Sequence, residues 1–508
     1  MRKKVLLGSL SGVLQVTITS ILIFITITLF VEKLGVEQYG IFSLFAVIGN
    51  FNLLFNFGFN TSLIKYLVEQ KKCKNSNYDI VTVAIVFIFI LSILCIVILF
   101  NQEFIIKNIF GISSKFINAE IKILFTSILF STVIVMLAQI PAAVIDSLQK
   151  TYLTNLLQLF YQILNKSTII AILFINPKLY LIGLYSLATT MIWFAVLLFT
   201  AIKEWNYFEI SNYYKNIKSS FYKHFNYGLK IYGSNILGFL YEPLTKVLIN
   251  QFIGLREVAI FEIAMRIKGL FWSLLERLLY PLTPLIGKIE NNLMVIKLIS
   301  AIEKKLLLIG ILFTAISVSI ISQVIELWIG KEIYLISLTS IAILTTYMLF
   351  STPIFLTYQF LIMKGHPEKV LKIQLVNVLM NYGLIIIMVP YLQYWGIIIP
   401  FCLAIFCSFI LILRYRTQLI NSRLIENKNE LLNIALLVLS LLVANIIITN
   451  FHFSNLMHIT LTLILNFILF LFISRSQNIF TSEDLDMLFG NNNKMKNIIG
   501  NILIANRI

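Results

Sequence analysis

The sequence predicts an all-α polytopic membrane protein of about fourteen transmembrane helices. Two six-helix lobes, related by a pseudo-two-fold axis along the membrane normal, are followed by two further helices. Three observations predict it. Of 508 residues, 59% are apolar and only 12% are charged, against about 45–50% and about 25% in soluble domains. Apolar runs of about 20 residues, enough to cross a bilayer, recur with short loops between them. Basic residues gather on alternate loops, as the positive-inside rule requires.

The first element is "MRKKVLLGSLSGVLQVTITSILIFITITLFV". Its basic start resembles a signal peptide, but the apolar run is too long and no A-x-A-type site follows. It reads as an uncleaved span over 5–31. Further spans are expected near 40–66, 78–102, 120–146, 151–175 and 179–202, completing a lobe at 1–205. The second lobe, 206–420, holds spans near 229–252, 257–286, 306–328, 333–363, 370–391 and 395–413. Residues 421–475 supply two more, near 431–450 and 455–474, and 476–508 form a polar, Asn-rich cytoplasmic tail. The longest outer loop, 103–119, contains "FGISSKF", a candidate interfacial helix. The segment 203–228 reads as a polar linker with an amphipathic stretch lying on the membrane.

Charge tests the topology. The net formal charge is +17, from 40 basic and 23 acidic residues. With the N-terminus inside and strict alternation, 28 of the 40 basic residues fall in cytoplasmic segments, 7 outside and 5 within spans. The excess therefore reports topology and carries no argument for nucleic acid. Both termini are expected in the cytoplasm.

The lobes read as a duplication. "LGVEQYGIFSLFAVI" (34–48) aligns with "IGLREVAIFEIAMRI" (253–267), matching Gly35 with Gly254, Ile41 with Ile260 and Phe42 with Phe261. A weaker echo places Gln158 and Asn165 on Gln374 and Asn381. Parallel six-span repeats are a mark of transporters that alternate access between halves.

Polar residues inside the spans form stripes. In "IFEIAMRIKGLFWSLLERLLYPLTP" (260–284), Glu262, Arg266, Gly269, Ser273, Glu276 and Tyr280 fall within about 80° at helical spacing. Arg277 lies at the margin, and Lys268 points about 120° away. On the preceding span, Asn235, Gly238, Glu242, Thr245 and Lys246 share a face. In the first lobe Gln15 lies on a polar side of span 1. Asn52, Asn56 and Asn60 follow one another on span 2, and Gln158, Gln162 and Asn165 line span 5 beside Lys166.

A charge at the bilayer centre costs about 2.5–3.5 kcal/mol on insertion scales, so such groups face a bundle interior or a wet cavity. One reading is local neutralisation, since Glu242–Lys246 and Glu262–Arg266 are i,i+4 pairs. The other is an anion site: Lys166, Lys246, Arg266, Lys268 and Arg277 outnumber Glu242, Glu262 and Glu276, and the arginine fork suits phosphate. The amides suit either interhelical hydrogen bonds or sugar hydroxyls. Glu242 and Glu262 are also candidate carriers of a coupling ion. Pro353 is expected to interrupt its span, and Pro281 and Pro284 to punctuate another.

The stretch 34–72, "LGVEQYGIFSLFAVIGNFNLLFNFGFNTSLIKYLVEQKK", resembles the opening of bacterial polysaccharide transporters. These belong to the multidrug/oligosaccharidyl-lipid/polysaccharide exporter superfamily. The residues that carry the resemblance are Leu34-Gly35, Tyr39-Gly40, Phe42, Gly58 and Lys65-Tyr66, together with the length and the twelve-plus-two spans. The resemblance implies a flippase, not an enzyme. It would move polyprenyl-diphosphate-linked oligosaccharide, as made for O-antigen, lipopolysaccharide or capsule, across the bacterial cytoplasmic (inner) membrane. A polysaccharide polymerase and a chain-length regulator would be its partners.

Alternatives are an ion-coupled multidrug exporter of the same superfamily, a membrane-embedded polymerase or glycosyltransferase, and an assembly scaffold. A drug exporter calls for acidic cavity residues, whereas the acidic groups in these spans are outnumbered. An enzyme calls for a large outer loop or an acidic sugar-nucleotide motif. The one D-x-D is Asp484-Leu-Asp486, in the tail, and there is no G-x-x-x-x-G-K-[ST] loop. His224, His366, His452 and His458 are scattered and expected at surfaces or headgroups. Cys73, Cys95, Cys402 and Cys407 show no metal or redox spacing. No cofactor and no metal are expected.

Overall fold

The computed structural model describes all residues except 1, 51–57, 71, 114–115, 149, 208–212, 280–285, 287–291, 331–333, 365, 421–423, 426–427, 451–453 and 477–508. The described elements are helical throughout. The chain divides into two compact units, Met1–Glu262 and Ile263–Ile508.

The first unit opens with α1 (Arg2–Leu34), which ends at Gly35 with φ +86. Glycine adopts this left-handed backbone without a Cβ penalty. After α2 (Val36–Phe45) comes a 3-10 turn, Ala46–Asn50, and later a second left-handed glycine, Gly58 (φ +70), before α3 (Phe59–Gln70). The expected straight span over 40–66 is therefore broken. Asn60 lies in the first turn of α3, and Asn52 and Asn56 lie outside the described residues.

Next come α4 (Lys74–Phe100), α5 (Ala119–Ser147), α6 (Thr151–Ile175) and α7 (Leu179–Trp205). Between α4 and α5, short helical turns occupy Gln102–Ile109 at the start of the long outer loop, ahead of "FGISSKF", of which residues 114–115 lie outside the described residues. Two apolar clusters hold these helices together. Phe59, Leu63 and Leu67 of α3 meet Val83, Phe87 and Leu91 of α4, together with Met136, Val144 and Trp205. Ala138 and Ile145 of α5 meet Trp193 and Leu197 of α7, with Tyr161 packed against them.

The main departure is α8 (Tyr213–Phe252), one helix of 40 residues. The expected membrane-surface linker is instead the first part of this helix, and it is built into the first unit. Phe221 and Phe225 pack on the α3–α4–α5 cluster. A Cβ on Gly58 would stand 2.6 Å from the Gly228 Cα, so both glycines allow a backbone-to-backbone approach that larger residues would block. At the other end, buried Asn250 donates from Nδ2 to the Phe110 carbonyl at 2.5 Å, and Gln251 Nε2 to that of Ile109 at 2.8 Å. These contacts satisfy carbonyls that the irregular 105–111 segment leaves outside a regular helix. The start of α9 (Leu255–Leu279) completes this unit, with Leu255 against Gly40.

The second unit holds the rest of α9 and α10 (Asn292–Ile329), α11 (Tyr334–Thr346), α12 (Phe355–Met363), α13 (Pro367–Leu392), α14 (Trp395–Leu419), α15 (Lys428–Asn450) and α16 (Asn455–Ser476). Between α11 and α12 a π turn, Tyr347–Ser351, and a 3-10 turn, Thr352–Ile354, surround Pro353. The predicted interruption is found there, as expected where proline lacks its N–H. Leu437, Leu441, Phe470 and Ile473 seat the last two helices on Leu308, Ile311 and Leu312 of α10. Asn445 reinforces the seat by donating to the Ala315 carbonyl at 3.0 Å, and Asn466 donates to Asn445 Oδ1 at 2.7 Å.

Eleven described helices are long and apolar enough to cross a membrane. The expected spans near 40–66, 229–252 and 257–286 are not among them: the first holds only short helices among its described residues, and α8 and α9 carry charged and polar residues along their length.

Candidate functional site

The residues expected to share a face of α9 differ in exposure. Val258 to Met265, Ile267 and Lys268 are buried, whereas Arg266 and Glu276 are exposed and Gly269 and Ser273 half-buried between them. The arginine guanidinium is exposed on an otherwise apolar helix, and its planar fork of donors suits an acid. Tyr280 and the side chain of Arg277 lie outside the described residues.

Glu262 belongs to the same helical face but is covered. It forms an ion pair with Lys246 of α8, both nearly excluded from solvent. This pairing runs between helices, where the i,i+4 spacing points along each one. Glu242 is half-buried on α8. Lys268 is buried in the second unit, its ammonium 4.5 Å over the Tyr347 ring. Trp272, one turn on, meets Tyr347 and Phe355 edge to face.

In the first unit, buried Asn165 of α6 donates to Thr189 Oγ1 of α7 at 2.9 Å, so this amide makes an interhelical bond. Gln158, Gln162 and Lys166 are half-buried on α6, and Gln15 and Asn60 are half-buried on α1 and α3. The structure therefore joins Lys246 with Glu262 and Asn165 with Thr189, and keeps Arg266 and Glu276 on one open face.

Two buried charge clusters escaped the sequence reading. In the first, Asp79 of α4 accepts from Ser220 Oγ and Lys223 Nζ of α8, each at 2.6 Å. His224 lies beside it, fully buried, in contrast to the surface position expected. His458 is also buried, His366 sits half-buried 3.5 Å from Glu368, and His452 lies outside the described residues.

The second cluster joins Glu303 of α10 to Arg416 of α14, both fully buried. Glu303 also accepts from the Thr357 N–H at 2.6 Å and the Thr357 hydroxyl at 2.9 Å, while Arg416 reaches Ser300 Oγ at 3.2 Å. Arg416 reads as a loop cation by position. Its helical register with buried Ile405, Ser408 and Ile412 was the signal that it faces inward. No group of three or more metal-ligating residues occurs among the described residues.

Comparison with solved structures places the fold. The lipid II flippase MurJ in an inward closed conformation superposes with a TM-score of 0.70 at 16% identity, covering 91% of this chain and 97% of that one. An inward-facing multidrug resistance transporter of the MATE family, in the MOP superfamily, gives 0.56 at 17% identity over 81% and 98%. The Vibrio cholerae MATE transporter VcmN gives 0.56 at 13% over 82% and 97%. No curated protein matches the chain. The family model described as "Polysaccharide biosynthesis protein" matches residues 5–290, which include α9 and its charged face. The chain, an all-helical molecule with the fold of MurJ and the MATE transporters, belongs to the polysaccharide biosynthesis protein family.

Proposed function

We propose that this protein is a flippase that moves polyprenyl-diphosphate-linked oligosaccharide across the bacterial cytoplasmic membrane by alternating access. The observation that carries the reading is the α9 face, on which Arg266 stays accessible while its apolar neighbours are buried. A diphosphate requires cations with forked donors. The glycan requires amides and hydroxyls, and the lipid tail remains in the bilayer. In this reading Arg266 and Arg277 contact the diphosphate, with Lys166, Lys246 and Lys268 adding positive potential. Gln15, Asn52, Asn56, Asn60, Gln158 and Gln162 are the hydroxyl-binding candidates, and Glu242, Glu262 and Glu276 the acidic counterparts. The two lobes act as repeats, both termini lie in the cytoplasm, and the product passes to a polymerase and its chain-length regulator. The glycan class is that of a surface polysaccharide, with O-antigen and capsule units the leading types. The protein carries out transport and no bond-making chemistry.

The test is flipping in proteoliposomes of a polyprenyl diphosphate carrying a short glycan. Wild type should translocate it, and Arg266→Gln at matched protein level should lose at least about tenfold in rate, the equivalent of a charge-assisted bond of about 1.5–3 kcal/mol. Unchanged flipping in Arg266→Gln removes the role of this residue. Absence of flipping by wild type, together with changed drug susceptibility in a deletion strain, would turn the reading toward a drug exporter.

A further inference from the structure

From Asn455 to Asn466, the first three turns of α16, the only fully covered residues are polar. They are His458, Thr462 and Asn466, at 5%, 0% and 0% exposure, whereas Leu456, Met457, Leu463 and Ile464 are exposed. Their spacing of four residues sets them in one row along the helix, about 6 Å of rise between neighbours. The row is short of partners. Among the described residues, His458 makes no hydrogen bond from Nδ1 or Nε2, Thr462 none from Oγ1 and Asn466 none from Oδ1. The rest of the Asn466 amide is engaged. Its Nδ2 donates to the Thr462 carbonyl at 2.8 Å and to Asn445 Oδ1 at 2.7 Å, and Asn445 Nδ2 donates to the Ala315 carbonyl at 3.0 Å. Turning the Asn466 amide round would set its oxygen against two other oxygens, so Oδ1 is the atom left over. The imidazole has no better state either. Each neutral tautomer carries one donor and one acceptor, so both ring nitrogens call for a partner whichever holds the proton. In native interiors such groups are matched by protein or by ordered water.

Charge and size decide what the match can be. The helices that pack on α16 are α10 and α15. Residues 306–325 of α10, 431–450 of α15 and 455–474 of α16 contain no Asp, Glu, Lys or Arg. A cation or a phosphate would therefore enter with no counter-charge to offset its desolvation. A neutral molecule that both donates and accepts meets no such cost. Side chains four residues apart on a helix stand about 5–6 Å from each other. Two hydrogen bonds of about 2.8 Å each cover that distance, so one water fits between neighbours. A buried water needs two to four polar partners, and each gap in the row offers two from α16 alone. One turn beyond Asn466 the row ends, where Phe470 packs with Leu437, Leu441 and Ile473 in an apolar cluster.

We propose that α16 carries a binding site for two structural waters, one bridging His458 to Thr462 and the other bridging Thr462 to Asn466. The Thr462 hydroxyl serves both. With the waters bound, the row is a continuous hydrogen-bond chain from His458 through Asn466 and Asn445 to the Ala315 carbonyl of α10. The seat of the last helix is then apolar at Phe470 and hydrated from Asn466 back to His458. The inference stands apart from the flippase reading, since it concerns bound water and no substrate.

The test uses the full chain in lipid bilayers, labelled with 13C and 15N, and measures transfer of magnetisation from water by solid-state NMR. His458→Phe and Asn466→Leu assign the signals. The His458 ring and the Asn466 side chain should receive water magnetisation several times faster than the Phe470 ring. Transfer to both no faster than to Phe470 would overturn the site. A second measurement reads the sign of a stability change. Thr462→Val removes the hydroxyl shared by the two waters at nearly constant volume. It should lower the melting temperature by about 2 °C, and Thr462→Ser, which keeps the hydroxyl, should lose less. A hydroxyl with no water beside it would instead be a liability that valine removes. A melting temperature for Thr462→Val equal to or above that of wild type would therefore also overturn the proposal. Neither readout depends on transport.

Discussion

Lys246 and Glu262 form a buried ion pair that ties α8 to the first turns of α9. Each group lies in a helix whose composition is too polar for a simple spanning segment. Together they solve the problem that each creates, because a buried charge is tolerable when its partner and hydrogen bonds are in place. The consequence is an asymmetry between single and double substitutions. Glu262→Gln or Lys246→Met alone should destabilise the protein by about 3–5 kcal/mol by leaving one buried charge. Lys246→Met combined with Glu262→Leu should recover much of that loss. Thermal unfolding of the purified protein in detergent measures the cycle.

Arg266, one turn beyond Glu262, should behave in the opposite way. Its side chain is exposed, so Arg266→Gln should change stability by no more than about 0.5 kcal/mol. Export of surface polysaccharide in a complemented deletion strain should nevertheless fall sharply. Normal export with a normal melt would show that this face does not meet the substrate.

Glu303 and Arg416 predict a second cycle, in the other unit. Glu303→Gln removes the charge opposite Arg416 while leaving hydrogen-bonding capacity toward Thr357. Loss should be about 3–5 kcal/mol, since Arg416 has no exposed route for its charge. Thr357→Val should cost less, about 1–3 kcal/mol, by leaving one acceptor position of the carboxylate unfilled. Equal melting temperatures for Glu303→Gln and wild type would show that the pair contributes nothing net.

Gly58→Ala should be poorly tolerated for two separable reasons. The left-handed φ costs about 1–3 kcal/mol for a residue with a Cβ, and that Cβ would meet the Gly228 backbone at 2.6 Å. Gly35→Ala is the control. It has the same kind of backbone, φ +86, but open space around its Cβ. The Gly58 variant should therefore lose more stability than the Gly35 variant in the same thermal assay.

Much of this is legible in the sequence. A chain with 59% apolar residues and 12% charged ones, arranged in runs of about 20, points to membrane helices, because backbone polar groups in lipid must be satisfied within a helix or a closed barrel and barrel strands are about half that length. Helical spacing alone placed Arg266, Gly269, Ser273 and Glu276 on one face and Lys268 off it. The Pro353 interruption was also legible, since proline cannot donate to the helical ladder. Spacing along one helix could not show that Glu262 turns to α8, or that Arg416 and His224 are buried. It also made 203–228 look like a surface linker.

By itself, then, the sequence determined the all-helical membrane class and the helical register that Arg266, Gly269, Ser273 and Glu276 share on α9. Those properties follow from composition and from a period of 3.6 residues, both of which are local. Only the tertiary structure decided which charges are exposed and which are buried against another helix. Asp79 with Lys223, Lys246 with Glu262 and Glu303 with Arg416 each join different helices. Whether a charged side chain is a ligand or a strut depends on partners that the chain brings together only when its helices pack.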